Sequence, residues 1–177
     1  MLVAARQRFL EESYDNVSLR EIAGAAGVDV SLVSRYFGSK EELFREVLSG
    51  GKKKLDGDLT AEQLPDFLAD IILYEDCGDE TNEQTADRLL IILRSASSPK
   101  AAEIVRQSMV DDVLEPMVKL LDGNTPHMRA GLSMALIMGA KIQRTIMGVG
   151  LYDCETQAFR RKLVRMFEVA LGRTETD

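Results

Sequence analysis

The chain has 177 residues, 45% hydrophobic and 29% charged, which is an ordinary globular composition for one large domain or a small domain joined to a larger one. No apolar run reaches the roughly 18 residues of a membrane span and no signal peptide begins the chain, so we expect a cytoplasmic protein without membrane contact. The net charge of −7 is uneven, because residues 1–54 carry nine Lys and Arg against eight Asp and Glu, and residues 55–177 carry 13 against 21.

A first helix is predicted for residues 2–12. Leu2, Ala5, Phe9 and Leu10 lie on one face of it, at helical spacing. Residues 13–16 have turn chemistry and end it. Because helix formers dominate the rest of the chain and only four prolines occur, we predict an all-α fold.

A second helix begins at a capping box. Ser18 can accept a hydrogen bond from the backbone of Glu21, and the Glu21 side chain can reach back to the backbone of Ser18. Gly27 ends this helix, where a left-handed backbone conformation is open to glycine. A third helix follows, capped by Asp29.

The third helix is predicted to bury either Leu32 or Val33 together with its last aromatic pair, and it ends at Gly38. Ser39 and Glu42 form a second capping box, for a fourth helix over about residues 40–54. This layout is typical of a helix-turn-helix, which places one helix in the DNA major groove. An unrelated pair of helices could use the same caps, and the caps alone do not decide between the two.

Beyond residue 55 the pattern predicts further helices over residues 61–74, 84–97, 99–121, 125–148 and 154–172. Pro116 is expected to kink or split the third of these. We therefore predict about nine helices in two domains. Residues 1–50 form the helix-turn-helix domain, and residues 51–177 form a ligand-binding and dimerisation domain.

Residues 9–44 resemble the N-terminal domain of the tetracycline-repressor (TetR) family of transcription regulators. The matching positions are Phe9, Tyr14, Ser18, Ile22, Ala23, Ala26, Gly27, Val28, Phe37, Ser39, Lys40 and Leu43. The resemblance implies a homodimer in which a three-helix DNA-binding head is linked by a fourth helix to a ligand-sensing body. Three positions depart from the family pattern. Ser13 replaces the usual Gly, Ser34 a frequent aromatic residue, and Tyr36 a common His.

Residues exposed around the third helix are the predicted contacts to a double-stranded DNA operator. Arg35 suits a bidentate contact to guanine, with a phosphate contact or a surface ion pair as open alternatives. Val30 suits a thymine methyl group, and the partly packed Tyr36 suits a phosphate or sugar. Lys40 suits a phosphate at a helix N-terminus. The full predicted set is Ser18, Arg20, Val30, Ser31, Ser34, Arg35, Tyr36 and Lys40.

Dimerisation is predicted through the last two helices. Small residues in the long helix over 125–148 permit close approach of a second helix, and the last helix has a broad apolar face. Packing within one chain is the alternative. The predicted interface residues are Gly131, Ala135, Gly139, Phe159, Leu163, Met166 and Phe167.

Seven of the eight methionines lie between residues 109 and 166. Flexible thioethers suit a pocket for varied apolar ligands, although core packing remains the alternative for each. Arg94 is the candidate to orient an anionic or carbonyl ligand, unless it forms a surface ion pair. The predicted pocket residues are Phe67, Ile71, Tyr74, Leu90, Arg94, Met109, Val113, Met138 and Ile142.

These patterns favour a repressor that binds a palindromic operator as a homodimer and is released by a small apolar or amphipathic effector. The single histidine, His127, leaves little for a catalytic triad or a multi-histidine site, and no Gly-rich phosphate motif occurs. Cys77 and Cys154 lack metal-type spacing and are expected to be reduced thiols, with a redox sensor as the alternative. We therefore expect no enzyme, metal or cofactor. A protein–protein interaction module that has lost specific DNA binding is the alternative function.

Overall fold

The computed structural model describes residues 1–50, 59–74, 80–149 and 156–173, and every regular element in these ranges is helical. The predicted all-α class is confirmed. The α-helices of the described residues are α1 (Leu2–Glu11), α2 (Leu19–Ala25), α3 (Val30–Phe37), α4 (Lys40–Ser49), α5 (Leu64–Tyr74), α6 (Glu80–Ser95), α7 (Pro99–Met109), α8 (Glu115–Lys119), α9 (Pro126–Lys141) and α10 (Thr156–Ala170). None of them is both long enough and apolar enough to cross a membrane.

The described residues form two compact units. The first unit comprises residues 1–50 and 83–109, and the second comprises 59–74, 80–82, 110–149 and 156–173. Short 3-10 turns lie at Tyr14–Asn16 and Ala61–Gln63, and π-helical turns at Val110–Leu114 and Ile142–Ile146.

Three aromatic rings form the centre of the first unit. Phe9 on α1 and Tyr14 in the following turn are stacked with ring centroids 6.1 Å apart. Phe44 on α4 meets each of them edge-on, with centroids 4.9 Å away in both pairs. Such offset and edge-to-face contacts are the favourable arrangements of aromatic pairs. Ile22 of α2 and Val33 of α3 are fully buried in the same core. The core around the rings therefore includes residues of all four N-terminal helices.

The segment 83–109 completes this core instead of forming a separate body. Ile91 of α6 and Ala101 and Ile104 of α7 are buried in the same cluster as the aromatic rings. The predicted division at residue 50 assigned this segment to the second domain. The contacts that join it to the first helices link residues distant in sequence, which helical periodicity does not reveal.

The second unit is held by apolar packing among α5, α8, α9 and α10 and by an ion pair between α5 and α10. Leu68, Met117 and Phe167 are fully or almost fully buried there. Arg160 donates to both carboxylate oxygens of Asp70, at 2.7 and 3.1 Å, and lies 2.8 Å from an oxygen of Asp66. Two parallel hydrogen bonds fix the orientation of the guanidinium as well as its position.

The helical stretch predicted for residues 99–121 departs from a regular α-helix ahead of Pro116, as expected. Proline has no backbone N–H and its ring clashes with the carbonyl four residues earlier. The π-helical turn Val110–Leu114, which contains that carbonyl at Asp112, separates α7 from α8. Residues 99–119 are helical throughout, so the predicted kink or split ahead of Pro116 takes the form of a π-helical turn within a continuous helical stretch.

Some predictions fall outside the described residues. These are residues 51–54 of the predicted fourth helix and the environment of Cys77 and Cys154. Within the described residues this helix is shorter than predicted, because α4 ends at Ser49 and the backbone of Gly50 is extended.

Gly27 ends α2 with φ at +65°, as predicted. Its N–H donates to the Gly24 carbonyl at 3.1 Å, and the N–H of Val28 donates to the Ala23 carbonyl at 3.0 Å. These two bonds form a Schellman motif, which satisfies the last carbonyls of the helix. The turn between α2 and α3 therefore depends on a left-handed residue at position 27.

We expect Gly27→Ala to lower the free energy of unfolding by about 1–2 kcal/mol, since a side chain is disfavoured by that amount in the left-handed region. Gly24→Ala is the matched control. An added Cβ there meets no atom within 4 Å, and a helix interior favours Ala over Gly by about 0.5–1 kcal/mol. Chemical denaturation should thus show opposite signs for the two variants, and equal effects would contradict the assigned turn.

Candidate nucleic-acid interface

The predicted capping box at the start of α2 is formed in full. The Ser18 hydroxyl accepts from the Glu21 backbone N–H at 3.3 Å, while the Glu21 carboxylate accepts from the Ser18 backbone N–H at 2.7 Å and from its hydroxyl at 2.8 Å. These bonds from Ser18 hold the pKa of Glu21 below its ordinary value. Both donors of Ser18 are therefore engaged, and a phosphate, which only accepts hydrogen bonds, would have to break the box to contact them.

α3 begins at the predicted cap. The Asp29 carboxylate accepts from the backbone N–H of Ser31 at 2.8 Å and from its hydroxyl at 2.5 Å. Ser31 is the main cause of a lowered pKa at Asp29. At the other end of α3, Gly38 has φ +75° and ψ −70°, a conformation that places Ser39 ready to cap α4. The turn residues thus set both ends of the helix.

The second predicted capping box is only half formed. Ser39 accepts from the Glu42 backbone N–H at 3.1 Å, as predicted. The Glu42 side chain, however, bonds Arg45 one turn later at 2.5 Å. The cation at position 45 competes for the carboxylate, and Ser39 alone caps α4.

α3 buries little of its own surface. Val33 is fully buried and Phe37 partly buried, whereas Tyr36 is 70% exposed. The ring of Tyr36 was expected to be partly packed, and the structure corrects this. Of the two residues between which the sequence did not decide, Leu32 is the exposed one at 39%. It is a candidate contact that sequence analysis missed.

The structure separates the predicted DNA contacts into two groups. Arg20, Ser34 and Arg35 are exposed, as are Ser18, Ser31 and Tyr36 discussed above. Val30 is instead partly buried against the core of the first unit, so Leu32 is the more accessible apolar group for a thymine methyl. Lys40 is also partly buried, with its ammonium 4.3 Å from the centre of the Tyr14 ring.

Some charged side chains of the helix-turn-helix region form ion pairs, and others do not. Arg8 bonds Glu11 at 2.9 Å and lies 3.6 Å from Glu21. Glu41 pairs with Lys100 of α7. Arg20 and Arg35, by contrast, have no hydrogen bond or ion pair among the described residues. Two exposed guanidinium groups are therefore available to an external anion or base.

The corner between α6 and α7 is bonded to the helix-turn-helix region at three points. Arg94 donates to the backbone carbonyl of Glu11 at 3.0 Å, near the end of α1. The buried Ser98 donates to Asp15 at 2.9 Å, and Lys100 pairs with Glu41 in the first turn of α4. Arg94 was a predicted ligand contact, and the structure gives it this capping role.

The other predicted pocket residues are distributed over both units. Leu90 and Met109 belong to the first unit and are partly buried. Phe67, Ile71 and Val113 pack against the core of the second unit. Met138 is 36% exposed, Ile142 is partly buried in a π-helical turn, and Tyr74 is the last residue of α5. Across the described ranges, no group of three or more His, Cys, Asp or Glu side chains is placed to hold a metal ion.

α9 has two apolar faces. Ala130 and Ser133 are fully buried in the second unit, whereas Met128 and Leu132 are 59% and 50% exposed. The predicted interface residues Ala135 and Gly139 follow them at helical spacing and are also exposed, and Gly131 is partly exposed. An added Cβ at either glycine would meet no atom within 4 Å. We call Met128, Leu132, Ala135 and Gly139 the α9 stripe.

On α10 the predicted interface is corrected. Leu163 and Phe167 are 6% and 0% exposed, and Phe159 packs against the same core. Their apolar face packs within the chain, which was the alternative left open. Met166 is 48% exposed, and Val169, which the sequence analysis did not select, is 56% exposed.

Two protein-family models match the chain. The model described as bacterial regulatory proteins, tetR family, matches residues 1–47, which contain the helix-turn-helix. The model described as tetracyclin repressor-like, C-terminal domain, matches residues 77–171, more than half of the chain. None of the curated proteins matches the chain.

Solved structures share the fold at low sequence identity. NalD of Pseudomonas aeruginosa, the secondary repressor of the MexAB-OprM multidrug efflux pump, has a TM-score of 0.68 at 22% identity, over 93% of each chain. GusR of Salmonella enterica has a TM-score of 0.66 at 18% identity, over 97% of this chain and 93% of its own. The likeness extends over nearly the full length of each of these proteins.

The Glu41–Lys100 pair should make stability depend on acid pH. The hydrogen bond from Lys100 is the main cause that lowers the pKa of Glu41 from 4.5 to about 2. A carboxylate whose pKa is lowered in the folded state stabilises the fold at pH values above its ordinary pKa. This stabilisation is lost as the pH falls through the lowered pKa. Between about pH 5 and pH 2, the melting temperature of Glu41→Gln should therefore fall less than that of the unaltered chain.

Thermal melts across this range test the pair. Glu46→Gln, an exposed substitution on the same helix, is the control and should follow the unaltered chain. Identical acid profiles for Glu41→Gln and the unaltered chain would show that the pair does not contribute.

Proposed function

This chain belongs to the tetR family of bacterial regulatory proteins, DNA-binding regulators of transcription, and we propose that it is a repressor. It binds a palindromic operator as a homodimer and leaves it when a small apolar or amphipathic effector binds. The observation that carries this proposal is the exposed surface of α3, where Arg35 has no partner among the described residues.

The proposed contacts follow from the chemistry of the exposed side chains. A guanidinium can bond the O6 and N7 atoms of guanine together, which gives Arg35 the main role in sequence recognition. Leu32 contacts a thymine methyl, and Tyr36 a phosphate or sugar. Arg20, at the start of α2, contacts a phosphate and fixes the register of the head without selecting a base. These assignments are compatible with the observed exposure of all four residues.

A homodimer is proposed because one head has few free cations. Two heads related by a two-fold axis contact two half-sites about 34–36 Å apart, which multiplies affinity and requires a palindromic sequence. The α9 stripe, with Met166 and Val169 of α10, supplies the uncovered apolar surface for such a contact. Small residues at positions 135 and 139 let two α9 helices approach closely.

Repression and release are supported by two observations. NalD, which shares the fold, is described as a repressor. In this chain, the later part of α6 is built into the core of the DNA-binding unit through Ile91, and its end is bonded to α1 through Arg94. An effector that changes the direction of α6 would therefore shift α1 and α4. Phe67, Ile71 and Val113 remain the candidate effector contacts, and a cytoplasmic location follows from this role.

Selection from a random-sequence DNA library with the full chain tests the proposal. We expect an enriched palindrome whose binding weakens steeply with salt, as phosphate contacts release counterions. Arg35→Ala removes one bidentate base contact from each half-site, so it should weaken binding of the dimer by roughly 30-fold to 10⁴-fold, at ~1–3 kcal/mol for each such contact. Lys119→Ala, an exposed loss of one positive charge on α8, is the control and should leave affinity unchanged.

Failure to enrich any sequence, with an intact dimer, would instead favour the protein–protein interaction module. If Arg35→Ala bound the selected sequence as tightly as the unaltered chain, the result would support a DNA-binding regulator but would exclude Arg35 from base recognition.

The dimer surface has its own test. Leu132→Glu should raise the dimer dissociation constant by roughly 100-fold or more, because a two-fold axis brings like charges together at a cost of several kcal/mol. Val3→Glu, at a 79%-exposed aliphatic position on α1, is the matched control and should remain dimeric. Sedimentation velocity measures both, and a dimeric Leu132→Glu would exclude the α9 stripe as the interface.

A further inference from the structure

We propose that Ser31 recognises the exocyclic amine of an adenine or cytosine, acting only as a hydrogen-bond acceptor, because its single hydroxyl proton is committed to Asp29. This inference rests on the proposed insertion of α3 into the major groove. It concerns the kind of base atom that Ser31 can select, which exposure alone does not determine.

The geometry fixes the direction of the bond. The Ser31 hydroxyl and one Asp29 carboxylate oxygen are 2.5 Å apart, and the same oxygen accepts the Ser31 backbone N–H at 2.8 Å. An ionised carboxylate has no proton, so the hydroxyl must be the donor. The lowered pKa of Asp29, caused by these bonds from Ser31, keeps the carboxylate ionised near neutral pH. What remains on the Ser31 oxygen is its acceptor capacity.

Contact with DNA does not favour turning the Ser31 hydroxyl away from Asp29. A hydrogen bond to a charged acceptor is roughly twice as strong as one between neutral groups. If Ser31 turned to donate to a base, it would exchange a bond to a carboxylate for a bond to a neutral atom. It would also leave the N-terminal cap of α3 with one bond fewer. Accepting from a base requires neither change.

The major groove then offers Ser31 a restricted set of partners. Adenine N7, guanine N7 and O6, and thymine O4 are acceptors, and they cannot bond an oxygen that has no proton to give. Adenine N6 and cytosine N4 are the donors. Phosphate oxygens are excluded for the same reason. A serine whose hydroxyl proton is not already bonded can donate or accept. The Ser34 hydroxyl, one turn further along α3, is such a group, because it has no hydrogen bond among the described residues.

The experiment uses the palindrome selected by the full chain. Comparing selections by the unaltered chain and by Ser31→Ala identifies the base pair whose preference depends on the hydroxyl. Ala at position 31 retains the backbone N–H that bonds Asp29, so the cap survives. At that base pair, the amine is deleted by replacing adenine with purine or cytosine with 2-pyrimidinone. The N7 acceptor is deleted separately with a 7-deazapurine.

We expect amine deletion to weaken binding by the unaltered chain about 2- to 10-fold, the worth of one neutral hydrogen bond. Amine deletion also removes a hydrogen bond within the base pair, and binding by Ser31→Ala should weaken only by the effect of that loss. Deletion of N7 should affect the unaltered chain and Ser31→Ala equally. Ser49→Ala, which removes an exposed hydroxyl on α4 that donates to the Arg45 carbonyl, should behave as the unaltered chain throughout.

Two results would overturn the inference. N7 deletion that weakens the unaltered chain but not Ser31→Ala would show that Ser31 donates. Identical selected sequences and affinities for the unaltered chain and Ser31→Ala would show that it contacts no base. Both differ from the failure of the proposed function, in which the unaltered chain selects no sequence.

Discussion

The contact of Tyr14 with Phe9 and Phe44 is the constraint on which the DNA-binding unit depends. Tyr14 is 2% exposed, and its ring touches residues of α1 and α4 while the Lys40 ammonium lies over it. Burial is the main cause that raises its pKa to about 12. A single ring thus fixes the relative positions of the helices that carry α3. Val33 is the one fully buried residue of α3, so the packing of this core determines the orientation of α3.

The same core explains why the DNA-binding unit is not confined to the first 50 residues. Ile91, Ala101 and Ile104 fill part of the surface around the aromatic rings, and the polar bonds of Arg94 and Ser98 lie at its edge. The later part of α6 and all of α7 therefore belong to the DNA-binding unit, because their apolar side chains complete the core around the aromatic rings.

Local features were predictable from the sequence, and long-range packing was not. The caps at Ser18 and Asp29 and the left-handed Gly27 are set by neighbours within a few residues, so their chemistry could be derived directly. Leu32 and Val33 are adjacent on an eight-residue helix, too short for periodicity to decide which is buried. The return bond of the Glu42 side chain to residue 39 was wrongly predicted, because Arg45, a turn away, competes for the same carboxylate.

The proposed dimer surface shows the same limit of sequence patterns. α9 is apolar on both faces, so its pattern does not distinguish the side that packs on α5 and α10 from the side left open. On α10 the strongest apolar face was assigned to a partner, and the structure uses it for the intrachain core around Phe167. Residues outside that face, such as Val169, became candidates only once the exposed fraction of each side chain was known.

The structure also explains how a chain with net charge −7 can present a surface for DNA. The head has nearly equal numbers of acidic and basic groups, so its composition alone supplies little attraction. Several of its acids are paired with cations, Glu21 with Arg8, Glu41 with Lys100 and Glu42 with Arg45. Arg20 and Arg35 have no such partner among the described residues. The Asp29 carboxylate at the start of α3 bonds only the neutral Ser31 among the described residues. The field that a phosphate backbone meets near α3 therefore combines two unpaired cations with one anion.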